Sequence, residues 1–218
     1  MCGRLAGMSV MARNVDDLTS YAARNRVKYV FFWGHQPEPD GRAGAGCLSQ
    51  WWPAPFTVDG RVFASAEHYL MWRKAVLFGD EPMAERILAA PHPQVAKTLG
   101  GRVAGFEQAV WDEHRYPIVV AGNLAKFGRH PELRDYLLTT GDRVLVEASP
   151  RDRIWGIGLS RDDPAAADPR RWRGTNLLGF ALMDVRESLG TGQSVTRGHH
   201  ESGDRHGAVE VQEAQQDR

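Results

Sequence analysis

The chain has 218 residues, 42% of them apolar, with 27 basic side chains against 27 acidic ones, enough for one domain around a proper core. Zero net charge and a pI near 7.1 exclude the broad basic face by which a protein holds nucleic acid mainly through its phosphates, and leave room only for transient contact. Cys2 and Cys47 are the two cysteines, too few for a disulfide framework or a four-ligand zinc site, and no apolar run is long enough for a signal peptide or membrane span, so a reducing cytoplasm is expected.

In chain order, residues 1–26 give no clear element and are read as an N-terminal extension. Val27 to Trp33 reads as a strand, and Phe56 to Phe63 as a hairpin around the Asp59-Gly60 turn. Helices are predicted over 66–78, 81–89, 93–99, 106–114, 117–128, 131–138 and 176–189, broken by Gly100-Gly101, Pro117 and Pro131, with short strands near 143–147 and 154–159. Residues 190–218, polar and almost free of large apolar side chains, read as a disordered tail. The pattern predicts an α+β fold: a single compact, mostly helical domain over 27–189 with a small β-sheet.

Within that frame Glu67 and Lys74 lie seven positions apart on the helix from Ala66, hence on one face, beside Leu70 and Met71. A carboxylate and an amine in apolar surroundings are costly unless they serve each other or a ligand. Ser65 is a good N-cap, which puts Glu67 in the first turn, where backbone N–H groups favour the ionised form. Only four lysines occur, Lys28, Lys74, Lys97 and Lys126. The plain alternative is a structural ion pair.

Tryptophans beside glycine, proline or acid form a second pattern: Trp33-Gly34, Trp51-Trp52-Pro53, Trp111-Asp112 and Trp155-Gly156. Such rings serve as flat walls for a ring-shaped ligand, though most tryptophans simply fill cores. Trp155 stands out because the glycines after it, Gly156 and Gly158, let backbone approach a ligand. Asp152, three residues earlier, can hold a sugar hydroxyl or orient a water, or serve only as a turn aspartate. Asn176 is a natural N-cap opening from a Gly-bearing loop; capping is its plainer role, and phosphate binding the functional one.

Leu48-Ser49-Gln50-Trp51-Trp52-Pro53-Ala54-Pro55-Phe56, Ser65-Ala66-Glu67-His68-Tyr69 with Lys74, Trp111, Ala125-Lys126-Phe127, Leu137 to Asp142, Asp152 with Trp155-Gly156, and Gly174 to Gly179 followed by Leu182-Met183 and Arg186 together resemble the NADAR family. The resemblance runs from about residue 29 to 189. It implies an N-glycosidase fold, with activity on ribosylamino-pyrimidine intermediates of riboflavin synthesis in some members and removal of ADP-ribose from guanine in nucleic acid in others. It carries functional roles onto Glu67, Lys74, Trp111, Asp152 and Trp155. Where the family commonly has Ser-Asn-Phe, this chain has Ser49-Gln50-Trp51, a longer amide and a larger ring at the expected pocket wall. The Gly- and Pro-bearing insert from Gln36 to Gly46 ahead of it reads as a lid or a loose connection.

Both substrate classes join C1 of ribose to an exocyclic amine. The chemistry expected of Glu67 and Lys74 is then a Schiff base at Lys74 with Glu67 as proton shuttle, or water attack on an oxocarbenium-like C1 positioned by Glu67 or Asp152 with Lys74 on phosphate. Catalysis is assigned to Glu67, Lys74 and Asp152, and substrate binding to Ser49, Gln50, Trp51, Trp111, Trp155, Gly156 and Asn176. No cofactor is expected, and no metal, since His35, His68 and the tail histidines lack convincing ligand spacing. The partner is a small nucleotide or an ADP-ribosylated guanine, with transient single-stranded nucleic-acid contact through Arg151, Arg153, Arg171 and Arg173. A non-catalytic ADP-ribose or NAD-binding module is the alternative, although it has no need of Glu67 and Lys74. Met1-Cys2-Gly3-Arg4 resembles the start of SRAP proteins, which capture abasic sites, but the match ends there and reads as coincidence.

Overall fold

The structure, a computed structural model, describes residues 12–192. The readings made for Cys2 and for most of the tail, with His199 and His200, lie outside the described residues.

The described residues open with helix α1 (Val15–Ala22), where no element was expected; Asn14 caps it by accepting from the Asp17 N–H, and Leu18 is buried. Strand β1 (Tyr29–Phe32) follows, then a loop with a 3₁₀ turn at Ala45–Leu48. Strands β2 (Phe56–Val58) and β3 (Arg61–Phe63) form the expected hairpin, with Phe56 opposite Phe63. At the turn Asp59 and Gly60 have φ of 49° and 76°, the pair of positive values that a type I′ turn requires and that Asp-Gly tolerates. Phe63 stacks edge-on against Tyr69 with ring centroids 5.1 Å apart, which seats the hairpin on helix α2 (Ala66–Leu77).

Helices α3 (Glu81–Leu88) and α4 (Pro93–Gly100) fold back on α2. Ala75, Met83, Ala84, Ile87, Ala96 and Leu99 make an apolar cluster of their own there, apart from the main core. Helix α5 runs unbroken from Gln108 to Arg129, so the expected break at Pro117 does not occur. Pro117 is exposed, and the Glu113 carbonyl it leaves without an N–H partner lies on the solvent side, where water relieves much of the usual cost. After α6 (Pro131–Thr139), strand β4 (Val144–Glu147) pairs in parallel with β1, from Tyr29↔Val144 to Phe32↔Glu147. Helix α7 (Leu177–Gly190) covers β4 so closely that a Cβ on Gly179 would collide with the Leu145 carbonyl. The expected small sheet is thus two separate two-stranded ladders. The strand expected near 154–159 is instead irregular chain, its Ile157 N–H bonded to the Glu147 carbonyl and its Gly158 N–H to the Asp152 carbonyl. Among the described residues no helix is long and apolar enough to cross a membrane.

Candidate active site

Parallel strands aim their C-terminal ends at the same side, and in open α/β sheets that is where ligand clefts form. Here the ends of β1 and β4 open onto a cavity of about 400 Å³, within the range of small-molecule sites. Phe32 and the following Trp33, Gly34 and His35 form one wall, Ser49 and Trp51 a second, Gln94 and Lys97 of α4 a third, and Glu147, Ser149, Arg151 and Asp152 a fourth.

Glu67 lies behind this cavity, 5% exposed. Its backbone N–H donates to the Gln50 carbonyl at 3.0 Å, which ties the start of α2 to the Ser49-Gln50-Trp51 turn. Burial pushes its carboxyl up to about 7, against the opposing pull of the Lys97 charge and of the Trp51 side chain, which hydrogen-bonds it. Desolvation therefore outweighs the helix N-terminus, which favours the ionised form. At neutral pH Glu67 can both take and give a proton.

The expected partnership of Glu67 with Lys74 is not formed. The Lys74 ammonium donates to the Gly100 carbonyl at 2.9 Å and sits over the rings of Phe106 and Trp111, 4.0 and 5.6 Å from their centroids. The last carbonyls of α4 lack intrahelical donors and so attract a cation. Lys97, one turn earlier on α4, is instead the lysine whose charge acts on Glu67 and Glu147, and its ammonium lies 5.9 Å from the Trp51 ring centroid.

Ser49, Trp51 and Asp152 do line the cavity. Ser49 Oγ accepts from the Trp51 N–H at 3.1 Å, and its carbonyl, like that of Cys47, accepts from Lys126. Asp152 fixes its loop by accepting the Ile154 and Trp155 N–H groups on Oδ1, at 2.9 and 2.8 Å. The other residues assigned to substrate stand elsewhere. Trp111 is a buried core ring, and Trp155 packs partly buried against the same core. Gly156 is buried, and a Cβ there would approach the Glu147 carbonyl to 2.8 Å, so the glycine serves a close approach of backbone to backbone rather than to ligand. Gln50 is buried with its Nε2 unpartnered.

Asn176 is 0% exposed, and its amide is engaged at both ends: Nδ2 donates to the Leu145 carbonyl and Oδ1 accepts from the Glu147 N–H. The Leu177 and Leu178 N–H groups are bonded to the Ile154 and Trp155 carbonyls. The N-terminus of α7 is therefore closed to phosphate, and Asn176 positions β4 instead.

His68, which the sequence offered no metal partner, is buried. Its Nε2 is 3.0 Å from the Ala90 carbonyl, which can only accept, so Nε2 carries the proton and Nδ1 accepts from the Ser65 hydroxyl at 2.8 Å. Ser65 occupies the N-cap position yet gives α2 no side-chain cap, because its hydroxyl serves His68.

Sequence reasoning missed Lys97 and Glu147. A signal existed for each: Lys97 is one of four lysines, and Glu147 is the acid that ends an otherwise apolar strand.

A family model described as the NADAR domain matches residues 31–190. The chain is 43% identical over 165 residues to N-glycosidase R617 of Acanthamoeba polyphaga mimivirus, covering 73% of this chain and 95% of that protein. It is 33% identical over 135 residues to N-glycosidase YbiA of Escherichia coli K12, covering 62% of this chain and 76% of that one. The NMR structure of E. coli YbiA superposes with a TM-score of 0.60 at 27% identity, covering 81% of this chain and 93% of that one. The motifs, the extent of the match and the shared fold agree: the chain belongs to the NADAR domain family.

Proposed function

We propose that this protein is an N-glycosidase that hydrolyses the bond between C1 of a ribose and an exocyclic amine of a nucleobase-like group. The substrate is ADP-ribose on guanine in nucleic acid or a ribosylamino-pyrimidine phosphate. The observation that carries the reading is the buried carboxyl of Glu67, poised near neutrality beside a cavity that also holds Asp152, Lys97 and the ring of Trp51. The names of the relatives support the reaction class. A module that only binds ADP-ribose has no use for a buried acid held between its charged and neutral forms.

In this reading the sugar sits in the cavity with its base against Trp51. Positive charge developing at C1 is stabilised by the carboxylates around it, and Glu67 or Asp152 orients the attacking water. The Lys97 cation keeps the neighbouring carboxyls from all becoming neutral and offers a contact for phosphate. A Schiff base at Lys74 is not part of the reading, since its amine is bonded to Gly100 away from the cavity wall. Trp33, 59% exposed at the rim, gives a second ring of the substrate a face to stack on. The exposed Arg151, Arg153, Arg171 and Arg173 supply the charge for passing contact with a single strand.

The test is product release by wild type and Glu67→Ala on two substrates in parallel, a guanine-ADP-ribosylated oligonucleotide and the ribosylamino-pyrimidine phosphate. We expect the wild type to cleave one of them and the variant to lose at least about 100-fold in rate. Binding of both without cleavage of either would replace the enzyme reading with the binding module.

A further inference from the structure

Glu147 closes β4 with its backbone pinned on both sides. Its N–H donates to Asn176 Oδ1 at 3.0 Å, its carbonyl accepts from the Ile157 N–H at 2.9 Å, and Gly156 packs against that carbonyl too closely for any larger residue. The side chain lines the cavity, yet its Oε2 is buried without a hydrogen-bond partner. An unpaired buried oxygen is costly on a carboxylate and less so on the neutral acid, so the surroundings favour the protonated form of this cavity-lining group. The charged groups acting on it are the carboxylates of Asp152 and Glu67 and the ammonium of Lys97, with Arg151 and His35 also lining the cavity.

We propose that Glu147 is the proton donor to the departing amine, a role that rests on the N-glycosidase reading above. The division of labour follows from what each carboxyl faces. Glu67 receives the Trp51 side-chain hydrogen bond and the Lys97 charge, both of which favour a carboxylate. Lys97 acts on Glu147 as well, but there Asp152 outweighs it and Glu67 adds to Asp152, which together with the unpaired buried Oε2 favours the carboxylic acid. Burial, with Asp152 adding to it, raises Glu147 to about 8, so it carries its proton at neutral pH.

The step balances. The C1–N bond breaks with its electron pair going to nitrogen, which takes the proton from Glu147 and leaves as a neutral amine. Water adds to C1 and gives its proton to the Glu67 carboxylate. The proton on Glu67 then returns to Glu147 through solvent in the emptied cavity, so one ribosylamine and one water give one free sugar and one amine.

The deciding experiment compares wild type, Glu147→Gln and Glu147→Asp on whichever substrate the wild type cleaves, by the pH dependence of kcat and by carboxyl-stretch infrared titration of the free proteins. We expect Glu147→Gln to lose about 100-fold or more in kcat with KM within about threefold, and to lose the basic limb of the profile. Glu147→Asp should keep a basic limb, and a carboxyl titrating near pH 8 should be absent from the Gln variant alone. A Gln variant with kcat within about threefold of wild type, a loss confined to KM, or an unaltered infrared titration would overturn the assignment while leaving the N-glycosidase reading intact. A wild type inactive on both substrates would remove both together.

Discussion

At the scale of single residues, Trp51 is both a wall of the cavity and a modulator of Glu67. Its side chain hydrogen-bonds the Glu67 carboxyl and holds the acid below the value that burial alone would give. Trp51→Phe keeps a ring at that wall and removes the donor. We therefore expect the acidic limb of kcat/KM to move to higher pH by about half to one unit, the worth of one hydrogen bond to the charged form. An acidic limb that stays in place while activity falls would show that Trp51 acts through stacking alone. Lys74 and Lys97 make the complementary pair. Borohydride added during turnover should leave Lys74 unlabelled, because its ammonium is bonded to Gly100 and covered by Phe106; a reduced sugar adduct on Lys74, found by peptide mass mapping, would restore the covalent route. Lys74→Met should instead lower thermal stability by about 1–2 kcal/mol through the lost hydrogen bond and cation–π contact.

At the scale of elements, Lys126 links α5 to the turn that forms the Trp51 wall. It is 0% exposed, and burial lowers its ammonium to about 7. It donates to the Cys47 and Ser49 carbonyls at 2.7 and 2.8 Å. Lys126→Met fills the same space but leaves two carbonyls without a donor, so we expect a loss of about 1–3 kcal/mol in unfolding free energy, together with a rise in KM as the 49–51 turn loosens. Unchanged stability and KM would show that the turn holds its shape without the lysine. The elements themselves were largely legible. α2 has a start signal and no breaker, and Asp59-Gly60 names its own turn. Pro117 misled because a breaker was counted without knowing that its face is solvated. The site was half legible for a related reason. Glu67 and Asp152 were singled out from local spacing and Ser49 and Trp51 with the help of the family motif, whereas Lys97 reaches Glu67 only because the apolar seam of α2, α3 and α4 brings α4 alongside. No spacing rule on one helix can report a neighbour thirty positions away. Asn176 and Gly156 were noticed for the right reason, local backbone constraint, but the constraint serves the packing of β4.

At the scale of the whole molecule, a cavity that keeps acids buried sets how stability varies with pH. Glu67 and Glu147 sit near 7 and 8 in the folded protein against 4.5 for the free group. Between those values the native state holds protons that the unfolded chain has released, so their contribution is full below pH 4.5 and is lost as pH rises through 7 and 8. Lys126 has the opposite sense: folded near 7 against 10.5 unfolded, it adds stability only as pH rises above about 7. His68, lowered by burial, also favours higher pH, below its ordinary value of 6.5. The two carboxyls are isolated by difference. Urea midpoints of wild type and of the Glu67→Gln, Glu147→Gln double variant, taken at pH 5 and pH 7, share every other titrating group. We expect the wild type to lose more stability than the double variant over that interval, because only it must release protons that the fold retains. Parallel changes in the two proteins would mean that both carboxyls titrate in the folded state as freely as in water, which is incompatible with the buried acid on which the proposed chemistry depends.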